Sequence, residues 1–463
     1  MLTKTTPHTG QQNLFYKELL HQLDSKDPLI KLADAIDWQI FDNAFAKYYS
    51  KDKGRPSKPI RLMVGILILK QLENLSDEKV VVQFKRNPYY QYFCGHSEYI
   101  SDYPCNASEL VHFRNRIGVE GIDFIFNMSV KLHGKKAEEN EVLVDTTVQE
   151  KNITYPTDAK LAIKIINRLN KIAKLHGIKQ RRTYAKEVKS CRLNIRHFRH
   201  VKKRRKATKA LKRLRTIAGI LIRELRRKLA NYLLFEQYQK QFLFYERVLA
   251  QKPSDKNKIY SLHEQNVYVI AKGKDHKKYE YGAKASIVAT KKNNIIVGVV
   301  SHKMNKHDSK TLESALEHTH SNREKPIKEA ICDRGYAGVT SIGKTKVVIP
   351  RKPLKRDTKY KRDKKRKQCR RRAAIEPLIG HLKSDFRLSR NFLKGDIGND
   401  INLLMAACAW NLRKWMVSYI TLFFAMKNSA IFESNLVIIV KFLLNKARNA
   451  LNLKIYNSIC AHN

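Results

Sequence analysis

The sequence predicts an α/β catalytic domain preceded by an all-helical N-terminal domain. Three observations predict it. Helical spacing fills the first part of the chain. Apolar, β-branched runs begin at Glu141. Those runs then alternate with helical segments in a fixed order.

Residues 11–48 read as amphipathic helix with a turn signal at Asp27-Pro28, and the polar stretch SKDKGRPSKP (50–59) comes next. Residues 59–73 place Pro59 near a helix start and contain no internal breaker. Residues 77–93 give a second short helix, ending in Asn-Pro and the aromatic cluster YYQYF (89–93). That cluster reads as core in preference to a base-stacking platform. Ser108 to Leu132 is a further helix or helix pair, and the helical domain is expected over 1–135.

The run EVLVDTTV, from Glu141, reads as a buried strand, and Thr157-Asp158 offers an N-cap for a long helical segment. Residues 179–228 hold 21 Lys/Arg against two acidic residues, Glu187 and Glu224. Leu211, Leu214, Ile217, Leu221 and Leu225 recur there at helical spacing, so 158–250 is a hairpin or bundle of long basic helices. YEYGAKASIVAT and NNIIVGVVSH are strands joined by KKNN, a hairpin signal. Ser309 to Thr319 is a short helix; KEAICDRG (328–335) and KVVIP (346–350) are strands. Residues 351–372, with 14 Lys/Arg and two Asp, read as a mobile basic loop. The pattern is helical again from Arg371 to about Leu388. GDIGND (395–400) reads as a turn, with Asp400 capping a last helix through Trp415. With the segment 158–255 lifted out as an insertion after the first strand, this is the order of a ribonuclease-H-like fold over 140–416. Residues 417–463 are a C-terminal extension of unknown role.

A formal charge of +50 on 463 residues calls for a polyanion, and nucleic acid is the commonest. A neutral metabolic enzyme is excluded as the first reading. The seven cysteines are scattered, with no C-x-x-C pair, as expected of free thiols in a reducing cytosol. The start MLTKTTPHTGQQ lacks the apolar run of a signal peptide. Val417 to Leu444 is interrupted by Lys427, Glu433 and Lys441, so no membrane span is expected.

Three carboxylates stand out by position. Asp145 ends the run VLV, Asp333 ends AIC, and Glu376 lies on a helix face with Arg372, Gly380 and Lys383. Two Mg²⁺ roughly 3.5–4 Å apart serve both ends of an in-line phosphoryl displacement. Such ions take oxygen ligands and keep several waters, so few carboxylates suffice. Taken singly, an Asp at a strand end is more often a turn former or cap. Other motifs carry less. Gly338 to Thr345 matches a P-loop pattern but precedes a strand instead of a helix, so it is accidental. His197 and His200 lack further ligands nearby, and His381 reads as a packing or hydrogen-bonding residue as readily as a catalytic one.

VDTTVQEKNITYPTDAKL (144–161), CDRGYAG (332–338) and the run 370–415 together resemble DDE transposases of bacterial insertion sequences, above all the insertion-sequence-five family. Residues 54–95, YSLHEQ (260–265) and KGKDHKKYEYGAK (272–284) are similar to that family too, so the likeness spans about residues 12 to 416. It implies that Asp145, Asp333 and Glu376 are the DDE triad, binding two Mg²⁺ with Mn²⁺ as a substitute. It implies that Arg372 and Lys383 belong to the Arg-x3-Glu-x6-Lys signature. Where the wider superfamily often has a Tyr three residues before that Arg, this chain has Cys369. The resemblance further implies recognition of terminal inverted repeats by the N-terminal domain. It also implies joining to target DNA and a homodimer or larger assembly on double-stranded DNA, in the bacterial cytoplasm at the nucleoid. The basic helices, with Arg204, Arg205, Lys206 and Arg213, are expected on the phosphate backbone. The competing readings are a nuclease that hydrolyses without joining and a DNA-binding protein without catalysis.

Overall fold

The computed structural model describes residues 18–50, 52–233, 235–252, 254–272 and 277–421. The chain divides into two units, Met1–Ala137 with Ala407–Asn463, and Glu138–Ala406. A helix over 395–421 passes this division, so residues 407–416 of the expected catalytic domain group with the helical unit. Of the C-terminal extension, 422–463 lie outside the described residues.

In the first unit, the expected helix over 11–48 is broken into Leu19–Gln22, Pro28–Ala35 and Gln39–Phe45. Asp27 caps the second, its side chain accepting from the Leu29 N–H, and Pro28 fixes the first helical φ. Ile60–Leu72 is buried almost throughout, which explains its apolar run. Helices Asp77–Arg86 and Pro88–Phe93 come after it. The 89–93 cluster is core, as expected: Phe93 is fully buried and meets Trp38 edge-on at 5.2 Å. Ala107–Lys131 kinks at Gly118, where φ is 62°, a conformation that glycine adopts at low cost. Asp77 ties this unit together. It takes a bidentate pair from Arg114 at 2.9 and 2.6 Å and a third contact from Lys70 at 2.9 Å.

The second unit is a mixed α/β domain. Its sheet contains β1 (Glu141–Glu150), β2 (Tyr268–Ala271), β3 (Tyr279–Thr290), β4 (Ile296–His302), β5 (Glu329–Ile331), β6 (Ser341–Ile342) and β7 (Thr345–Val348). The order is β2-β3-β1-β5-β7-β6, with β4 also paired to β3. β1 pairs antiparallel with β3 and parallel with β5, so it is central and buried on both flanks. The β3–β4 hairpin forms through the expected KKNN turn. β6 and β7 form a tight antiparallel pair over the P-loop-like residues, and no helix opens there.

Between β1 and β2, helices Asp158–Leu175, Ala185–Ile195, Arg204–Lys228 and Phe235–Ala250 pack around their own apolar core. Arg204–Lys228 buries Leu214, Ile217, Leu221, Ile222 and Leu225 and leaves most of its cations in water. Each such burial contributes about 1.5–3 kcal/mol, which stabilises a bundle otherwise opposed by charge repulsion.

Two expectations are corrected. The basic run at 351–372 is not all loop: Lys359–Ala373 is helical. Lys and Arg are good helix formers, Thr358 caps the start, and Asp357 pairs with Lys365 at 2.7 Å. GDIGND is not a free turn either. The last helix starts at Gly395 and Asp400 lies inside it.

Candidate active site

Strand register builds the site. Leu143 of β1 stands opposite Ile331 of β5 in a parallel pair. Asp145 and Asp333 each lie two residues farther on, and side chains two apart along a strand share a face. The Cys332 N–H still donates to the Val348 carbonyl at 2.9 Å, so the ladder carries the chain to Asp333 before it turns away. There the Asp333 carboxylate accepts from the Gly335 N–H at 2.8 Å and starts a short 3₁₀ turn.

Glu376 comes from above. Ile375, at the start of helix Ile375–Ser384, packs in one apolar cluster with Leu143 and Ile331. These are the residues two before each aspartate. Burying Ile375 there brings the next residue, Glu376, close enough for its charge to act on Asp145 in the middle of β1. Arg372 is four residues back on the preceding helix and donates to Glu376 Oε1 at 2.9 Å. The Glu376 side chain is 60% exposed, so it is free to turn toward a ligand.

Electrostatics join the three groups. The Asp145 carboxyl is pushed up to about 6, first by burial, with the charges of Asp333 and Glu376 adding to the rise. The Thr146 N–H, which donates to Asp145 Oδ1 at 2.7 Å, and the Arg372 charge oppose it. Asp145 is thus a largely buried carboxylate under the charge of two others, with one guanidinium to offset them.

Among the described residues, no three His, Cys, Asp or Glu side chains converge closely enough to cage a cation by themselves. The donor set nonetheless fits hard divalent cations. All three side chains are carboxylates, one of them is held short of charge balance, and Mg²⁺ needs only one or two carboxylates beside its waters.

Lys383 is not drawn to these carboxylates. Burial lowers its ammonium pKa, and the charges acting on it are those of Glu280 and Glu150, at the far ends of β3 and β1, and of Lys272 and Lys277 between β2 and β3. Arg204 and Arg205 line an exposed depression with Thr208, Lys209 and Lys212, and Lys206 is exposed beside them. Arg213 differs, being engaged by Glu187 at 2.5 Å. His381 bonds Asp385 at 3.0 Å.

Sequence reasoning missed Asp308. Its Oδ1 accepts from Thr146 Oγ1 at 2.9 Å and from Lys284 Nζ at 3.0 Å. An acid in NKHDS, just before a helix, reads as a cap, and no local signal links it to a residue 162 positions away.

Among the described residues no helix is long and apolar enough to cross a membrane. Two family models match the chain: one described as a transposase domain (DUF772) over residues 17–116, the other as a transposase DDE domain over residues 250–412. Asp333 and Glu376 fall within the second match and Asp145 precedes it. The chain is 38% identical over 197 residues to "Uncharacterized protein ORF8 in nfe locus" of Rhizobium meliloti, covering 42% of this chain and 95% of that one. No solved structure matches. The two domain matches, in the order helical unit then mixed sheet, and the near-complete coverage of this relative lead to one conclusion: the chain belongs to the DDE transposases, enzymes that cleave and transfer DNA strands.

Proposed function

We propose that this transposase cuts and joins DNA at the ends of an insertion sequence of the insertion-sequence-five type by metal-dependent phosphoryl transfer. Asp145, Asp333 and Glu376 are its triad. The observation that carries the reading is the shared apolar cluster of Leu143, Ile331 and Ile375, which seats one acid beside each of its members. The strand succession β4-β3-β1-β5-β7, antiparallel and then parallel about β1, supports a ribonuclease-H-like catalytic fold.

Two Mg²⁺, or Mn²⁺ in their place, held by the triad would activate the attacking oxygen and neutralise the leaving one. The chain's own residues do the rest. Burial pushes the Asp145 carboxyl of the metal-free chain up to about 6, so protons compete with cations for it at mildly acid pH. Arg372 tethers Glu376 in the apo state and is positioned to pass to a phosphate oxygen when Glu376 turns inward. Water attacks the phosphorus first, breaking a P–O bond and freeing a 3′-hydroxyl. That hydroxyl then attacks a phosphorus of target DNA, forming a new P–O bond as the target's own P–O3′ bond breaks and releases a target 3′-hydroxyl, and no covalent protein–DNA bond is needed. Lys383, whose charged neighbours lie toward the far ends of β1 and β3, contacts DNA away from the scissile bond. Arg204, Arg205 and Lys206 contact the phosphate backbone. Terminal inverted repeats are read by the helical unit, and a dimer or larger assembly holds two ends together.

The test is incubation of the full chain with Mg²⁺, a supercoiled plasmid bearing this gene in its native flanking DNA, and a target plasmid. Joined donor–target molecules that vanish with Asp145→Asn are expected. Nicked or linear donor without joints would favour a plain nuclease. Cutting by Asp145→Asn at the parental rate would overturn the triad.

A further inference from the structure

Asp308 lies at the start of a 3₁₀ turn, Asp308–Lys310, between β4 and helix Leu312–Ser321. Its side chain bridges β1 and β3. Oδ1 takes two hydrogen bonds, from Thr146 Oγ1 on β1 at 2.9 Å and from Lys284 Nζ on β3 at 3.0 Å. Lys284 is itself pinned, donating also to the Lys306 carbonyl at 2.7 Å, and only 11% of its side chain is exposed. Oδ2 points the other way, toward the Asp333 loop. A Cβ on Gly335 would stand 2.8 Å from Asp308 Oδ2 and 3.0 Å from Asp333 Oδ1, so the two carboxylates approach each other across a residue that has no side chain. Among the described residues Oδ2 has no hydrogen-bond partner.

Strand alternation decides what this arrangement does. Thr146 follows Asp145, so its side chain leaves β1 on the opposite face. Lys284 pairs across from Val148, two residues beyond Thr146 and therefore on that same face. Asp308 thus grips β1 from behind the catalytic face. Its effect on Asp145 passes through the backbone: the same Thr146 whose hydroxyl is held by Asp308 gives its N–H to Asp145 Oδ1 at 2.7 Å. On the other side, the Gly335 that packs against Asp308 gives its N–H to Asp333 Oδ1 at 2.8 Å. Both aspartates are oriented by backbone N–H groups, and Asp308 abuts both donors.

We propose that Asp308 is a positioning residue of the transposition reaction: through Thr146 and the Gly335 turn it fixes Asp145 and Asp333 in the orientation that accepts divalent cations. The proposal rests on the triad reading. Groups that orient metal ligands without touching the metal typically change affinity or activity 10- to 100-fold when removed.

The full chain and its Asp308→Ala, Thr146→Val, Thr146→Ser and Asp145→Asn variants are compared in two assays. One is Mn²⁺ binding by electron paramagnetic resonance; the other is cleavage of the supercoiled plasmid bearing the gene in its flanking DNA, read against Mn²⁺ concentration. Asp308→Ala and Thr146→Val are expected to weaken Mn²⁺ binding tenfold or more and to shift the half-maximal Mn²⁺ for cleavage upward by a similar factor. Thr146→Ser, which keeps the hydroxyl, is expected to restore both. Thr146→Val guards against a folding defect in Asp308→Ala. If both bind and use Mn²⁺ as the parent does, with only thermal stability lowered, Asp308 is merely structural and the proposal falls. If Asp145→Asn also behaves as the parent, the triad reading falls and takes the proposal with it.

Discussion

Asp77 and Asp145 are both largely buried carboxylates, one in each unit, and they are held in opposite ways. Asp77 meets two cations, Lys70 and Arg114. Although burial works against its charge, the hydrogen bonds and charges of these partners bring it down to about 2. Asp145 meets two anions and a single offsetting guanidinium, and stands at about 6. The helical unit completes its buried charge from its own residues. The sheet leaves the charge of Asp145 only partly offset, at the site proposed for cations and phosphate. An unbalanced buried charge lowers stability, which is the arrangement the proposed triad calls for.

The contrast breaks most sharply on substitution. Asp145→Asn is expected to cut DNA cleavage by at least about 10³-fold, since it removes one of the three carboxylates proposed to hold the cations. The same change is expected to raise the stability of the metal-free protein at pH 7, on the order of 2 kcal/mol, by removing a desolvated charge. Asp77→Asn should do the reverse. It leaves Lys70 and Arg114 buried without their partner and costs about 3–5 kcal/mol, read by chemical denaturation. Loss of stability in Asp145→Asn would contradict the account of that site.

Titration sharpens the same comparison. The folded-state value of Asp77 is depressed, so its contribution is present above about pH 4 and is lost as pH falls toward 2. That of Asp145 is raised, so its contribution is present below about pH 4 and is lost as pH rises through about 6. Denaturation midpoints measured between pH 3 and pH 7 should show the second fall flattened in Asp145→Asn and retained in Asp77→Asn. Cleavage should rise over the same interval, because the ionised Asp145 is the form that binds a cation.

Smaller effects are expected in the insertion. Arg204→Ala, Arg205→Ala and Lys206→Ala together should weaken DNA binding and reduce the slope of log affinity against log salt by about 0.9 for each phosphate no longer neutralised. Arg213→Ala should change that slope least, because Glu187 already holds the guanidinium. Binding isotherms at several salt concentrations separate the two.

Much of this was legible in the residues. VLVD and AICD declare apolar strands that carry an acid, although β1 runs on past Asp145 to Glu150, and the apolar spacing of 211–225 declares the buried face of a basic helix. Charge misled where it was read as disorder. The run Lys359–Ala373 has few acids to balance it, yet it is helical because a cap, two Asp and the intrinsic preference of Lys and Arg act locally. Arg371 also reaches the β3–β4 turn, donating to the Lys292 carbonyl at 3.0 Å, a hydrogen bond no local pattern encodes. Asp308 was illegible for the same reason. Its partners come from β1 and β3, and strand pairing alone brings them together. Lys383 shows the limit of motif spacing: seven residues along a helix fix a face, while the charges it meets depend on which strand ends lie under that turn.

The most direct test is a crystal structure of the full chain on its own cleaved end DNA, soaked in Mn²⁺, with anomalous scattering used to place the metal. The account predicts manganese within bonding distance of the carboxylates of Asp145, Asp333 and Glu376, beside the scissile phosphate. Manganese bound elsewhere, with those three side chains uninvolved, would contradict it.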